Sequence, residues 1–195
     1  MKNTNLNEQI FYELDLNWID NVQINLSAVE RRTASLIKRR TVKNEYQAAW
    51  LLKAITLIDL TTLNGDDTFG KIERLCEKAI KPLSSTIIDS LNFHDKKITV
   101  GAVCVYHHLI EYAKKKLKGK IPVAAVSTGF PAGLSSFQTR KKEISNSIDT
   151  GADEIDIVIN RSYVLQKNWK KLYDEVRIFK EIAGNIKIKA ILGVG

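Results

Sequence analysis

Three ionisable residues lie in runs where such residues are rare. Asp59 lies in Thr56-Leu57-Ile58-Asp59-Leu60-Thr61-Thr62-Leu63, and Asp156 in Asp153-Glu154-Ile155-Asp156-Ile157-Val158-Ile159-Asn160. Lys189 lies in Ile186-Lys187-Ile188-Lys189-Ala190-Ile191-Leu192, where Ile186, Ile188, Ala190 and Leu192 alternate with Lys187, Lys189 and Ile191. An amine enclosed by apolar side chains loses the solvation of its charge, so burial predicts a lowered pKa for Lys189. A neutral lysine amine attacks carbonyls and forms a Schiff base. Asp59 shares its face with Leu57 and Thr61, and Asp156 shares its face with Val158 and Asn160. Buried carboxylates are costly unless paired or hydrogen-bonded. Two acids and a lysine on different strands can satisfy one another, either as a structural ion-pair network or as a constellation for proton transfer. The bland option for Lys187 and Lys189 is a wet strand face.

The elements that must position these residues follow from the hydrophobic pattern. Five apolar extended runs occur, at Ile55–Leu63, Thr99–Tyr106, Val123–Phe130, Glu154–Asn160 and Ile186–Leu192. Helical patterns separate them. Ile72, Leu75, Cys76 and Ala79 share one face, as do Leu109, Tyr112, Ala113 and Leu117. Trp169, Leu172, Tyr173, Val176, Phe179 and Ile182 form the clearest amphipathic stretch, with Gly184 placed as a C-terminal cap. Alternating strands and helices predict βαβ units and a parallel sheet, whose covered strands are nearly apolar throughout. Residues 1–54 read as a helical extension. Within it, Asn44 to Ala54 carries Tyr46, Trp50 and Leu51 near one face, which predicts packing on the main body. Residues 55–195 carry the strand-bearing unit.

Composition excludes several classes. The 195 residues, 44% hydrophobic and 27% charged, suit one globular domain. No apolar run has transmembrane length, and the polar start Met1 to Glu8 lacks the apolar core of a secretory signal. Cys76 and Cys104 form no CxxC or metal-type spacing, which predicts a reducing, cytoplasmic setting with neither disulfide nor zinc. The net charge of +8 raises the question of anionic partners. The densest basic run, Lys114 to Lys120, ends a helical pattern and has no interleaved aromatics, so it reads as a solvated helix end; neither nucleic acid nor membrane is expected.

Longer motifs carry a family likeness. They are Ile58-Asp59-Leu60-Thr61-Thr62-Leu63 with Gly65-Asp66-Asp67-Thr68, then Ala102-Val103-Cys104-Val105-Tyr106, then Thr128-Gly129-Phe130-Pro131-Ala132-Gly133. Gly151 to Ser162 and Lys189-Ala190-Ile191-Leu192 complete the set. In order and spacing the chain resembles deoxyribose-phosphate aldolase of the animal-like subgroup, which has an N-terminal extension. The resemblance implies an α/β TIM (β/α)8 barrel, of which about five βα units are present, and a class I Schiff-base aldolase with no metal or cofactor. The family cleaves 2-deoxyribose 5-phosphate to acetaldehyde and glyceraldehyde 3-phosphate. By the same resemblance Lys189 is the imine-forming lysine, Asp156 the acid/base carboxylate and Asp59 a supporting polar group, while Leu63, Cys104 and Phe130 line the pocket. The expected partner is a phosphosugar substrate, with homo-oligomer formation left open.

The chain departs from the family pattern at His107-His108, where proline is common, and at Val194, where a threonine is usual. Adjacent histidines point apart and lack an obvious third ligand, so no metal is expected. The family has three further strands after the Lys189 strand, bearing a second relay lysine and the phosphate-holding loops. The 195 residues alone are therefore expected to be a truncated barrel, inactive by itself, with open edges and a wet Lys189 whose pKa lies near the ordinary lysine value. Two rivals are a non-catalytic remnant that binds partners through its basic surface, and a complete open α/β domain of flavodoxin-like type. Against the latter, Thr61-Thr62-Leu63-Asn64-Gly65 stands where a glycine-rich phosphate turn belongs.

Overall fold

The computed structural model describes residues 12–39 and 42–194. Three helices come first, α1 (Leu16–Asp20), α2 (Leu26–Ile37) and α3 (Asn44–Ile55). Strand and helix then alternate: β1 (Asp59–Thr61), α4 (Phe69–Ile80), α5 (Ser85–Ser90), β2 (Ala102–Val105), α6 (Ile110–Leu117), β3 (Val123–Ser127), α7 (Phe137–Asp149), β4 (Glu154–Val158), α8 (Arg161–Leu165), α9 (Trp169–Ala183) and β5 (Lys187–Ile191). A single 3₁₀ turn, His107–Leu109, leads into α6. The starts of these helices are written in the sequence. Thr68, Ser84, Ser136, Asn160 and Asn168 each accept a backbone N–H of the first turn of the helix that follows.

All five strands are parallel and lie in the order β1-β2-β3-β4-β5. Consecutive strands are neighbours, each joined through a helical crossover. The main core fills the space between the sheet and the helices. Val103, Val105, Val123, Ile155 and Ile157 point outward from the sheet onto Ile72, Leu109, Leu117, Ile144 and Phe179, all of them buried. A smaller cluster, Cys104, Ala124 and Val126 with Leu63, Tyr106 and Phe130, lies on the opposite, inner face. The sheet is curled about that inner face. In a flat five-stranded sheet the two outermost strands would be about 19 Å apart. Here the side chains of β1 and β5 touch, through Asp59 and Lys189.

Several expectations are corrected. The run Ile55–Leu63 divides: α3 extends through Ile55, and β1 is only Asp59–Thr61. Tyr46, Trp50 and Leu51 do not pack on the body; each is more than half exposed, and Ala48, Leu52 and Ile55 turn inward instead. That face is also spaced i, i+4, i+7, but its smaller side chains make it less conspicuous than the aromatic one. Nor is the lysine run simply solvated. Lys114 holds both carboxylate oxygens of Asp153 at 2.8 and 2.9 Å, and Lys116 pairs with Glu73.

Helix α7 was hidden because its buried face is Arg140, Ile144 and Ser147, a helical spacing occupied mostly by polar residues. Arg140 donates to Glu175 of α9 at 2.7 Å, both side chains are buried, and the guanidinium lies over Phe137 and Phe179. Deleting one member of such a buried pair typically costs about 3–5 kcal/mol, because the other is left charged and unpartnered.

Candidate active site

Register places the three singled-out residues on the inner face. Asp156 pairs with Lys189 across β4 and β5, and Glu154 with Lys187 one inward position earlier. Cys104 stands beside Ala124, and Val126 beside Asp156, so one face runs from β2 to β5. Asp59 enters from β1 across the curl of the sheet.

Lys189 is the hub. Its Nζ donates to Asp59 Oδ2, and lies 3.0 Å from Asp156 Oδ1 and 3.2 Å from Glu154 Oε2. The contact with Asp156 Oδ1 is an ion pair without hydrogen-bond geometry. Burial pulls the Lys189 pKa down, but the hydrogen bond to Asp59 and the ion pair with Asp156 outweigh it, and the amine ends above the ordinary lysine value. The lowered pKa expected from burial is therefore corrected, as is the near-ordinary value expected of an open strand, while the side chain is partly exposed as expected. Desolvation is the largest single influence, yet several acids within ion-pair reach reverse its sign.

The Asp156 pKa is raised as well, but for an acid that shift works against the charged form. Burial raises its pKa, with Lys189 pulling it back down and Asp59 adding a smaller upward push. Its Oδ2 accepts the thiol hydrogen of Cys104 at 3.6 Å. Burial and the neighbouring Asp156 charge drive the Cys104 pKa up to about 12, so it remains a thiol near neutral pH. Leu63 and Phe130 pack against Cys104, Ala124 and Val126, and Phe130 meets the Tyr106 ring edge-on at 6.1 Å. All six singled-out residues thus fall on or beside one inner surface. Glu154 was missed, although it stands two residues before Asp156 and so shares its face; its place at the start of the run disguised it as a strand end.

His107 and His108 lie in the 3₁₀ turn after β2, their ring centroids 5.9 Å apart and the ring planes at 77°. Among the described residues no three His, Cys, Asp or Glu side chains are arranged to hold a metal ion. Residues 53–194 match the DeoC/LacD family aldolases.

The chain belongs to the DeoC/LacD aldolase family.

It is 53% identical over 186 residues to human deoxyribose-phosphate aldolase and 52% identical to the mouse protein; in both cases the match covers 94% of this chain and 58% of the relative. The chain thus spans little more than half the length of these curated relatives. Among solved structures, one from Coccidioides immitis superposes with a TM-score of 0.60 at 24% identity, covering 72% of this chain and 49% of that one. The aldolase QR15 superposes at 0.56 and 23% identity, covering 70% and 53%. The parallel five-stranded α/β unit therefore corresponds to about half of a barrel aldolase. Among the described residues, no helix is long and apolar enough to cross a membrane.

Proposed function

We propose that the whole protein is a class I aldolase that cleaves 2-deoxyribose 5-phosphate to acetaldehyde and glyceraldehyde 3-phosphate, and that this chain carries the acid/base part of its site. The observation that carries this reading is the cluster of Lys189, Asp156, Asp59 and Glu154 inside the curl of the sheet, with a carboxylate held above its usual range by burial. A carboxylate whose basicity is raised in this way is a better proton acceptor than a solvated one. In the reaction, a lysine amine condenses with the C1 aldehyde and releases water. A base removes the C3 hydroxyl proton, the C2–C3 bond breaks, and its electron pair moves into the protonated imine to give an enamine. Protonation at C2 and hydrolysis then release acetaldehyde. Asp156 supplies the proton transfers, and Leu63, Cys104 and Phe130 wall the small aldehyde.

By family resemblance Lys189 forms the imine. The raised pKa and its several carboxylate neighbours support a second reading, in which Lys189 stays charged and holds Asp156 and Asp59 in place. The imine then forms on another lysine of the whole protein. Borohydride trapping of the full-length protein with acetaldehyde, followed by peptide mapping, separates the two. Label on Lys189 supports the first; label on another lysine with Lys189 untouched supports the second. No label on any lysine overturns imine chemistry and favours a non-catalytic, partner-binding chain. Under either imine reading, Asp156→Asn lowers turnover by about 10²–10⁴ while the fold persists. Early melting with turnover intact would mark Asp156 as structural. The buried, unpaired Cys76 and Cys104 fit a reducing cytoplasm, where we place the activity.

A further inference from the structure

The loop after β3 is held by an unusual residue. Thr128 is completely buried and has φ of 59°, a left-handed conformation that a β-branched side chain rarely adopts. The last β3–β4 register pair is Ser127 with Ile157. Beyond it the main chain of β3 turns away, and the Thr128 hydroxyl continues the ladder. Its Oγ1 accepts the Val158 N–H at 2.6 Å and donates to the Val158 carbonyl at 3.0 Å. The next residue is fixed from the other side, as the Gly129 N–H donates to Glu143 Oε2 at 2.8 Å. Gly133 N–H then closes the loop on Gly129 O at 2.9 Å, so close to β4 that a Cβ on Gly133 would lie 2.9 Å from Val158 Cγ1. Phe130 is suspended between these fixed points, against Cys104, whose thiol touches Asp156.

We infer that Thr128 is a positioning residue that sets aldehyde size selectivity, by clamping the β3–α7 loop to β4 so that Phe130 forms a fixed wall beside Asp156. A strained conformation with both hydrogen-bonding functions of the hydroxyl used on one backbone residue is more than loop closure requires, since glycine would adopt this φ without strain. What the threonine adds is a tie between β3 and β4 at the level of the wall. A wall displaced by about 1 Å changes rates on the order of 10²-fold when it fixes a reacting group, and one methylene in a pocket discriminates roughly 10–200-fold.

The inference rests on the aldolase reading, and the experiment keeps the two apart. In the full-length protein, aldol addition to glyceraldehyde 3-phosphate is measured with acetaldehyde and with propanal as donors. Thr128→Val, which keeps the shape and removes both hydrogen bonds, is expected to raise KM for acetaldehyde about tenfold with kcat within about threefold. The propanal-to-acetaldehyde ratio of kcat/KM is expected to rise roughly five- to tenfold. Thr128→Ser, which restores the hydroxyl, should return both to within about threefold. If Thr128→Val does not fold, Glu143→Ala decides, because it frees the Gly129 amide from outside the core; the ratio should rise by at least about threefold. An unchanged ratio in the folded variant overturns the inference whatever happens to its melting temperature, as does a serine variant as impaired as valine. No turnover by the unmutated protein overturns the aldolase reading and this inference with it.

Discussion

Lys189 keeps its charge because neighbouring carboxylates compete successfully with water for its amine. A raised folded pKa means that the ion-pair stabilisation is fully present below the ordinary lysine value of about 10.4 and is lost as pH rises through the higher folded value. Lys187, four-fifths exposed, has only Glu154 at 3.4 Å. Acylation of the folded protein with an N-hydroxysuccinimide ester near pH 8.5 is therefore expected to label Lys187 at least about tenfold faster than Lys189, since acylation needs the neutral amine. Equal rates, read by peptide mass spectrometry, would contradict a charged, ion-paired Lys189. Both pKa values rise, with opposite consequences for charge: burial works against both charged forms, and only the lysine has enough opposite charge around it to win.

At the scale of elements, the segment after β1 shows how a loop is made rigid from a few polar residues. Asp67, nearly buried, accepts from the Thr62 hydroxyl at 2.9 Å and the Asn64 N–H at 3.1 Å, and pairs with Lys71 at 2.6 Å. Burial alone would raise its pKa, but the bonds from Lys71, Thr62 and Asn64 together hold it below the usual carboxylate value. A lowered folded pKa contributes stability that is present above the unfolded value of about 3.9 and lost as pH falls through the folded one. Asp67→Asn is expected to lower the melting temperature at pH 7 by about 3–6 °C. Thermal melts followed by circular dichroism should show that difference shrinking toward pH 2. A gap that stays constant with pH would mean that the charge on Asp67 plays no part. Helix α7 lies at the other extreme, for its buried Arg140 makes sense only once Glu175 of α9 is opposite it.

At the scale of the whole molecule, the curl of the sheet makes the site. Within the described residues β1 and β5 each have one strand neighbour, so both present unpaired backbone on their outer sides. An apolar groove beside β5 is lined by Tyr12, Leu14, Ile19, Leu172, Val176 and Ile188. A polypeptide of residues 1–195 alone is therefore expected to self-associate at roughly micromolar concentrations and above, visible as a concentration-dependent sedimentation coefficient. A clean monomer throughout would show that the edge and groove are satisfied without a neighbour.

Much of this was legible beforehand. The strand–helix alternation, the apolar faces of α4, α6 and α9, and the isolation of Asp59, Asp156 and Lys189 in apolar runs all follow from local periodicity, because strand and helix repeats are properties of adjacent residues. The aldolase motifs were legible for the same reason, as contiguous words. The sign of the Lys189 shift was not legible. It depends on Asp59, 130 residues away, and on Glu154 and Asp156 of the neighbouring strand reaching one amine, and only the curvature of the sheet brings them there. The inward face of α3, the Arg140–Glu175 pair and the Thr128 tie to Val158 were hidden likewise. Each is a polar or unremarkable residue locally, and its partner lies on another element at a distance that chain order does not encode.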